Sequence, residues 1–405
     1  MTNETKQLLH SIPAIIQKTF PVPGRFRGSL PSKIAELSRL LTNNRGERSL
    51  SYLNRPEYLS AYLYYFLPWN LHRLCFLLPT LEIKLSLNDT ITDIGCGPLT
   101  LLSALWITYP NLRKIPLEIN CIDRSGPALE AGKKFFITLC ESTGIKDIPW
   151  KINIIKEEIN FKKLNSNTKR KKASLVTAVN IFNEIYEKLP HSNTEGLRLA
   201  AESAVKYLHN EAAKNAPILV VEPGIPQAGK FISVLRNEML KINRPPLSPC
   251  THSAACPYLS GPKSGHAITR GRNWIDTKKR WCHFAFEAAI IPKELWRLSV
   301  AAKLPKERLV FSYLFADKVS ENIIKNDIET KSDARVISDA FILPENLYGR
   351  YGCSKQGLIL ITGDENKIEK LHSLSLVPQS SLIEFNANIQ YDKKSGAIIS
   401  PIKTR

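Results

Sequence analysis

The run Ile91-Thr92-Asp93-Ile94-Gly95-Cys96-Gly97-Pro98 restricts the fold of this chain more than any other segment. A β-branched stretch ends in two closely spaced glycines. An apolar helical pattern follows, Leu99-Thr100-Leu101-Leu102-Ser103-Ala104-Leu105-Trp106. The spacing predicts a strand, a sharp turn and a helix. Glycine has no Cβ, so Gly95 and Gly97 can take φ > 0 and let the backbone approach a ligand closely. A dinucleotide-binding turn would want a third glycine where Thr100 stands, and here Asp93 precedes the glycines instead. An ordinary strand-to-helix junction would read similarly, so the motif needs a second feature beside it.

Asp123 supplies that feature. Leu117-Glu118-Ile119-Asn120-Cys121-Ile122-Asp123 reads as the next strand and Pro127 to Cys140 as the helix after it. A carboxylate at the tip of a second strand can accept both hydroxyls of a ribose, and ligands of open α/β sheets sit outside the carboxyl ends of the strands. Asp93, the Gly95–Gly97 turn with Pro98, and Asp123 are therefore expected to converge on one ligand. The Asp93 turn resembles the first motif of class I S-adenosylmethionine-dependent methyltransferases, in which the acidic residue and the glycines meet the amino-acid end of the cofactor.

The chain has 405 residues, of which 43% are hydrophobic, enough for a folded core. Its 56 Lys and Arg against 37 Asp and Glu leave a formal charge of +19. Such an excess favours polyanionic partners, nucleic acid first among them, and disfavours a small-molecule methyltransferase. Apolar stretches such as Leu59 to Leu67 and Ala288 to Ile291 fall short of the roughly 20 residues a membrane span needs. Glu4, Lys6, His10 and Lys18 interrupt the first residues, which argues against a secretory signal and is compatible with an organellar presequence.

The expected organisation is a helical region over 1–87, broken at Pro21, Pro23 and Pro31, an alternating strand–helix core over 88–242, a cysteine-bearing extension over 243–365, and a loosely docked tail over 366–405. The segment Arg55-Pro56-Glu57-Tyr58 opens an aromatic helix that is expected to roof the cofactor core. Ile152–Ile155, Ser174–Val179 and Pro217–Gly224 read as strands three to five. Ala228, Phe231, Ile232, Leu235 and Met239 then mark one face of a helix. Leu309–Phe315 and Gly357–Thr362 are expected to complete that sheet antiparallel. The basic run Lys162-Lys163 and Lys169-Arg170-Lys171-Lys172 is either a solvated loop or a phosphate contact.

Of eight cysteines, Cys75, Cys121 and Cys140 stand in apolar surroundings and Cys96 lies in the glycine turn. Cys250, Cys256, Cys282 and Cys353 stand instead among turn or polar residues. Without a secretory context they read as thiols or metal ligands rather than disulfides. Four thiolates suit tetrahedral zinc or an iron–sulfur cluster, although no CxxC spacing is present and unpaired structural thiols remain the alternative.

In order along the chain, Arg55-Pro56-Glu57-Tyr58, Asp93-Ile94-Gly95-Cys96-Gly97-Pro98, Asn183-Glu184, Val221-Glu222-Pro223-Gly224-Ile225-Pro226, Pro249-Cys250 to Cys256-Pro257, Trp281-Cys282-His283-Phe284, Phe311-Ser312-Tyr313 and the Cys353–Gly357 stretch resemble the methyltransferase-like family of the bacterial and mitochondrial small ribosomal subunit. The resemblance runs from about residue 50 to 365. It implies an α/β, Rossmann-like class I methyltransferase fold and an S-adenosylmethionine site, beside which Asn183 and Glu184 either face the ligand or cap a helix. It further implies association with the small ribosomal subunit and its rRNA, a role in ribosome assembly and translation, and a [4Fe–4S] cluster on Cys250, Cys256, Cys282 and Cys353. The location it implies is the bacterial cytoplasm, or the mitochondrion in a eukaryote. Gly261 to Asn273 departs from the family as an insertion, which leaves His252, His266 and His283 as competing ligands and zinc as the competing metal.

Methyl transfer needs a nucleophile held in line with the sulfonium methyl. Base-methylating enzymes often carry an Asn/Asp-Pro-Pro-aromatic loop after strand four, and here that place reads Asn180-Ile181-Phe182-Asn183-Glu184, without prolines. No catalytic residue follows from the sequence, and a catalytically inactive, metal-stabilised RNA-binding factor stands as the second reading.

Overall fold

Strand β1 (Thr90–Ile94) is buried along its whole length and has a parallel partner on each side. Strand β2 (Leu117–Asp123) lies on one side and β4 (Leu175–Val179) on the other. Strand β3 (Trp150–Lys156) pairs with β2, giving the parallel order β3-β2-β1-β4. A central parallel strand is covered on both faces, which is why β4 reads as a nearly continuous apolar run and why Thr90, Thr92 and Asp93 of β1 are buried along with Ile91 and Ile94. The register sets Asp93 beside Cys121 and Ile94 beside Ile122, so Asp93 and Asp123 both stand at the carboxyl edge of the strands.

This computed structural model describes residues 1–42, 52–162, 170–186, 193–260, 281–288, 290–318, 333–382, 390–392 and 395–403. They divide into two compact units, one of residues 1–188, 210–213 and 287–309, the other of 189–209, 214–286 and 310–405. Gly261 to Asn273, with His266, lies outside the described residues.

In the first unit the N-terminal region is helical, as its sequence predicts. Thr2 caps the helix Asn3–Thr19, accepting from the Thr5 N–H at 3.1 Å, and Leu8, Leu9, Ile12, Ile15 and Ile16 form its buried face. The aromatic segment runs from Pro56–Ala61 through a π-helical stretch, Tyr62–Phe66, into Leu67–Leu77. Pro68 explains the widening: it has no N–H to give the carbonyl four residues back, and its ring would press on that carbonyl in a regular helix. Tyr58, Tyr65 and Trp69 are buried with Leu295 and Leu309 in one cluster. Trp69 Nε1 donates to Ser299 Oγ at 3.2 Å and the Tyr65 hydroxyl to the Leu304 carbonyl at 2.8 Å, so these buried rings keep their polar atoms satisfied.

The second unit holds β5 (Ile218–Pro223), the helix Pro226–Lys241, β6 (Pro246–Ser248), β7 (Phe284–Glu287) and β8 (Arg308–Ala316). Strand β8 runs antiparallel to β5, as expected for Leu309–Phe315. The expectation for Gly357–Thr362 is corrected. Strand β12 (Gly357–Gly363) belongs to a separate sheet with β9 (Ala334–Val336), β10 (Phe341–Ile342), β11 (Tyr348–Ser354), β13 (Leu376–Val377) and β14 (Ile398–Pro401), in the order β13-β9-β11-β12-β14 with β10 on β11. The tight connection from Ser354 to Gly357, where Gly357 has φ +116°, commits β12 to its immediate neighbour β11. The tail is corrected too. Residues 366–405 supply β13 and β14, and Ile368, Val377 and Leu382 enter a core with Val336, Ile359 and Ile361. Strands of two to four residues are too short to leave a period in the sequence.

One packing contact fixes the glycine turn. Gly132 lies in the helix Gly126–Ser142, and a Cβ there would stand 2.4 Å from the Pro98 carbonyl carbon. Gly132→Ala is therefore expected to lower stability by about 1–3 kcal/mol, despite the better helix propensity of alanine. The urea midpoint measures this, and a midpoint at or above that of the parent protein would show that the contact does not constrain the turn.

Candidate functional site

The carboxyl edge of β1–β4 opens onto a cavity of about 230 Å³ lined by Asp93, Gly95, Gly97, Asp123, Ser125 and Asn180, among others. Each wall has a local cause. After β1 the chain turns through Gly95 at φ +70° and Gly97 at φ +51°, with Leu99 also left-handed at φ +55°. A Cβ on Gly97 would meet nothing within 4 Å, so glycine is required there by backbone conformation, while a Cβ on Gly95 would stand 2.3 Å from Ile181 Cδ1. The Gly95 N–H donates to the Ile122 carbonyl at 2.8 Å and the Gly97 N–H to Asp123 Oδ2 at 2.9 Å, tying the turn to the end of β2.

Asp123 also accepts the Ser125 N–H at its Oδ1, 2.8 Å away. Two carboxylate oxygens offer about four acceptor sites, so capacity remains for a ligand. Ser125 caps the helix Gly126–Ser142 and donates its hydroxyl to Asn54 Oδ1 at 2.9 Å, which brings the N-terminal region to the rim. Asp93 is 2% exposed. Thr177 of β4 donates to its Oδ1 at 2.7 Å, whereas Oδ2 has no hydrogen-bond partner. Burial pushes the Asp93 carboxyl up to about 7, opposed by the Thr177 bond and helped by the charge of Asp123. Burial likewise raises Asp123, against the backbone N–H groups of Ser125 and Gly97.

The aromatic helix does wall the cavity, through Tyr62 and Asn70. Burial, and after it the charge of Asp123, pushes the Tyr62 phenol up to about 12. Glu157, Glu158 and Phe161 close the side after β3, and Asn180, at φ +57°, with Ile181 and Ile185 the side after β4. Pro98 and Asn183 are not among the lining residues; Asn183 is buried at the start of the short helix Asn183–Tyr186. Sequence reasoning missed Asn54, Thr177, Asn180 and Gly132. Only Asn180 carried a signal, an asparagine directly after a strand, where a left-handed residue is needed.

The basic run after β3 is partly self-satisfied. Arg170 pairs with Glu157 at 2.7 Å and Glu211 at 3.5 Å, Lys171 donates to the Asn88 carbonyl at 2.9 Å, and Lys172 bonds Asn210. Lys163 and Lys169 lie outside the described residues.

The second unit gathers Cys250, Cys256, Cys282 and Cys353. Arg236, 2% exposed on the helix Pro226–Lys241, donates to the carbonyls of His252 and Ala254, each at 2.7 Å, and so holds the loop between Cys250 and Cys256. Arg335 Nε holds the Pro249 carbonyl at 2.9 Å. Ser312 Oγ donates to the Cys282 carbonyl at 2.7 Å. Gly229 admits the Trp281-Cys282 strand: a Cβ there would lie 2.6 Å from Trp281 Cδ1 and 2.9 Å from the Cys282 carbonyl. Cys353 comes from β11, with His252 Nε2 at 3.3 Å from its Sγ. His283 instead stacks on Trp281, centroids 4.6 Å apart. Burial raises the thiols of Cys250, Cys282 and Cys353, and the nearby thiols of the same set raise them further. By exposure Cys256 is buried and Cys250, Cys282 and Cys353 are half-buried. Among the described residues, however, no group of three or more His, Cys, Asp or Glu is arranged to hold a single metal ion.

The first unit is an α/β protein of the parallel, glycine-turn class with an acidic cavity at the strand ends. Residues 86–347, more than half of the chain, match the family described as Rsm22, mitochondrial small ribosomal subunit Rsm22, and the chain belongs to that family. A search of curated proteins finds no match. Solved structures similar to this chain include a putative class I S-adenosylmethionine-dependent methyltransferase from Listeria monocytogenes, 11% identical over 79% of this chain and 88% of that one, TM-score 0.34. Geranyl diphosphate C-methyltransferase from Streptomyces coelicolor A3(2) is 11% identical over 72% and 98%, TM-score 0.31. A methyltransferase from Geobacter sulfurreducens in complex with S-adenosyl-L-homocysteine is 15% identical over 46% of this chain and 55% of its own, TM-score 0.23, so the present chain spans about half of it. Superpositions this loose stand as likenesses only. Among the described residues no helix is long and apolar enough to cross a membrane.

Asp93 gives the site a pH signature. Its folded value, about 7, lies above the ordinary 3.8, so its contribution to stability is complete below the ordinary value and is lost as pH rises toward 7. The ligand-free protein is expected to lose stability relative to Asp93→Asn across that window, at up to about 1.4 kcal/mol per unit. Urea midpoints of both proteins against pH measure this; parallel curves would contradict a buried, orphaned carboxylate.

Proposed function

We propose that the protein binds S-adenosylmethionine in the cavity of the first unit and acts on or with the rRNA of the small ribosomal subunit, in its assembly and in translation. One observation carries the cofactor reading: Asp93 leaves Oδ2 unpartnered in the same cavity in which Asp123 keeps acceptor capacity. A ligand with an ammonium group at one end and vicinal hydroxyls at the other answers both. Asp93 would take the amino group, the Gly95–Gly97 turn the close backbone approach, and Asp123 the ribose hydroxyls, while Tyr62 and Asn70 keep water from that wall. Pro98 shapes the turn through its contact with Gly132, and Asn183 is buried at the start of the helix Asn183–Tyr186, its Oδ1 without a hydrogen-bond partner among the described residues. Bound there, the cofactor supplies an electrophilic methyl group. The loop after β4 lacks the prolines of base-methylating enzymes, which favours a binding role in subunit assembly over a committed transferase.

Family membership supports the small ribosomal subunit as partner and the mitochondrion as location. The +19 charge supports contact with rRNA. For the cysteines, the donor set is all thiol, with Cys256 buried and Cys250, Cys282 and Cys353 half-buried. Thiolates of this kind take a [4Fe–4S] cluster, with tetrahedral zinc as the competing group. Cys250, Cys256, Cys282 and Cys353 would hold it, with Arg236 fixing the loop of the first two.

Calorimetry with S-adenosyl-L-homocysteine tests the cofactor site: the parent protein binds, and Asp93→Asn and Asp123→Asn each weaken binding about tenfold or more. A folded parent protein with no affinity would sink the reading. Purified without oxygen, the protein is expected to be brown and to lose iron on Cys250→Ser. A colourless preparation with stoichiometric zinc would exclude the cluster and keep the thiol site.

A further inference from the structure

We propose that Arg73 and Lys306 form a binding site for one phosphate group, carried by a bound RNA strand, one hydrogen bond removed from Asn70 in the cavity wall. The RNA source rests on the rRNA reading above; the phosphate site itself rests on the two cations alone.

Lys306 Nζ lies 4.7 Å from the ring centroid of Tyr65, 5.3 Å from that of Trp69 and 5.9 Å from that of Phe66. Arg73 Nη1 donates to Asn70 Oδ1 at 2.6 Å, and its buried Nε has no hydrogen-bond partner. Among the described residues neither cation meets a carboxylate, and the Lys306 ammonium holds no hydrogen bond. Trp69 and Arg73 stand at i and i+4 on the helix Leu67–Leu77, so the ammonium over the Trp69 ring lies on the helix face that carries Arg73, and burial, then the charge of Arg73, pushes the Lys306 amine below its ordinary range. Ring faces attract a cation, but far less than removal from water costs it. The pair is therefore uncompensated as it stands, and an oxyanion would offset it.

The donor geometry selects among oxyanions. A guanidinium offers a planar fork and an ammonium a point charge with three donors, all of which a phosphate can accept at once. Asn70 connects the pair to the cavity, since it takes the Arg73 bond and itself lines the cavity beside Tyr62. An RNA phosphate seated on Arg73 and Lys306 would bring the strand to the wall of the cofactor cavity.

Two measurements on the full chain test this, with Lys306→Met and the charge-keeping Lys306→Arg as variants. Inorganic phosphate, titrated against chloride at constant ionic strength, is expected to raise the thermal midpoint of the parent protein and of Lys306→Arg saturably, and not that of Lys306→Met. Without phosphate, Lys306→Met is expected to unfold at or above the parent midpoint, because it removes an unpaired charge. Binding of a single-stranded oligouridylate is expected to lose about 0.7 of its log–log salt slope in Lys306→Met, with affinity for S-adenosyl-L-homocysteine unchanged. A phosphate response lost in Lys306→Met with an unchanged RNA slope would overturn the RNA source and assign the site to free phosphate. Equal phosphate responses in the parent protein and Lys306→Met would overturn the site. An oligouridylate that fails to bind the parent protein would remove the rRNA reading, while the phosphate titration still decides the site.

Discussion

The bond from the Gly97 N–H to Asp123 Oδ2 joins the first strand's turn to the second strand's tip, and the cavity depends on it. It holds the loop after β1 against the carboxyl end of β2, so that two acidic side chains from separate strands face one volume. The turn can make this bond because Gly97 is left-handed without penalty, and it stays where it is because Gly132 lets a helix press against Pro98. Asp123 is at once a structural acceptor and an edge of the cavity. This double use explains why burial raises its carboxyl while backbone N–H groups restrain the rise.

The first unit also leaves polar groups of both signs without partners. Among the described residues Asp93 Oδ2 is an acceptor without a donor, and Arg73 Nε and the Lys306 ammonium are donors without an acceptor. A fold optimised for stability alone would neutralise or remove such groups, since a buried polar atom without a partner is destabilising. Asp93 faces the cavity that Tyr62 and Asn70 also line, while Arg73 stands one hydrogen bond behind Asn70 and Lys306 over the rings of Tyr65 and Trp69. Stability withheld from the ligand-free state in this way becomes available as binding free energy.

The second unit solves a different problem. Its cysteines come from a loop, a strand approach and a hairpin far apart in the chain; Arg236 and Arg335 pin carbonyls of the loop, while Gly229 opens space for Trp281 and Cys282. Arg335 donates to the main-chain oxygens of Pro249 and Leu374, and Arg236 to those of His252 and Ala254 and to Asn237 Oδ1. The positive charge they bring beside the thiols draws Cys250 downward against burial.

Much of the first unit was legible in the sequence. The glycine turn, the buried parallel strands and the two aspartates are local statements, because strand burial, turn conformation and strand-end position are each written in a few adjacent residues. What the sequence alone determined was therefore the strand–turn–helix frame, the pairing of Asp93 with Asp123, and the separation of four polar-context cysteines from three apolar ones and the one in the glycine turn. Tertiary structure alone decided that β12 joins a second sheet, that the tail contributes β13 and β14, that Asn180 rather than Asn183 lines the cavity, and that Lys306 lies over the rings of Tyr65 and Trp69. The physical reason is range. Strand partners, orphaned atoms and like charges across 233 positions are properties of what comes together in space, and short irregular elements leave no period from which that meeting can be read.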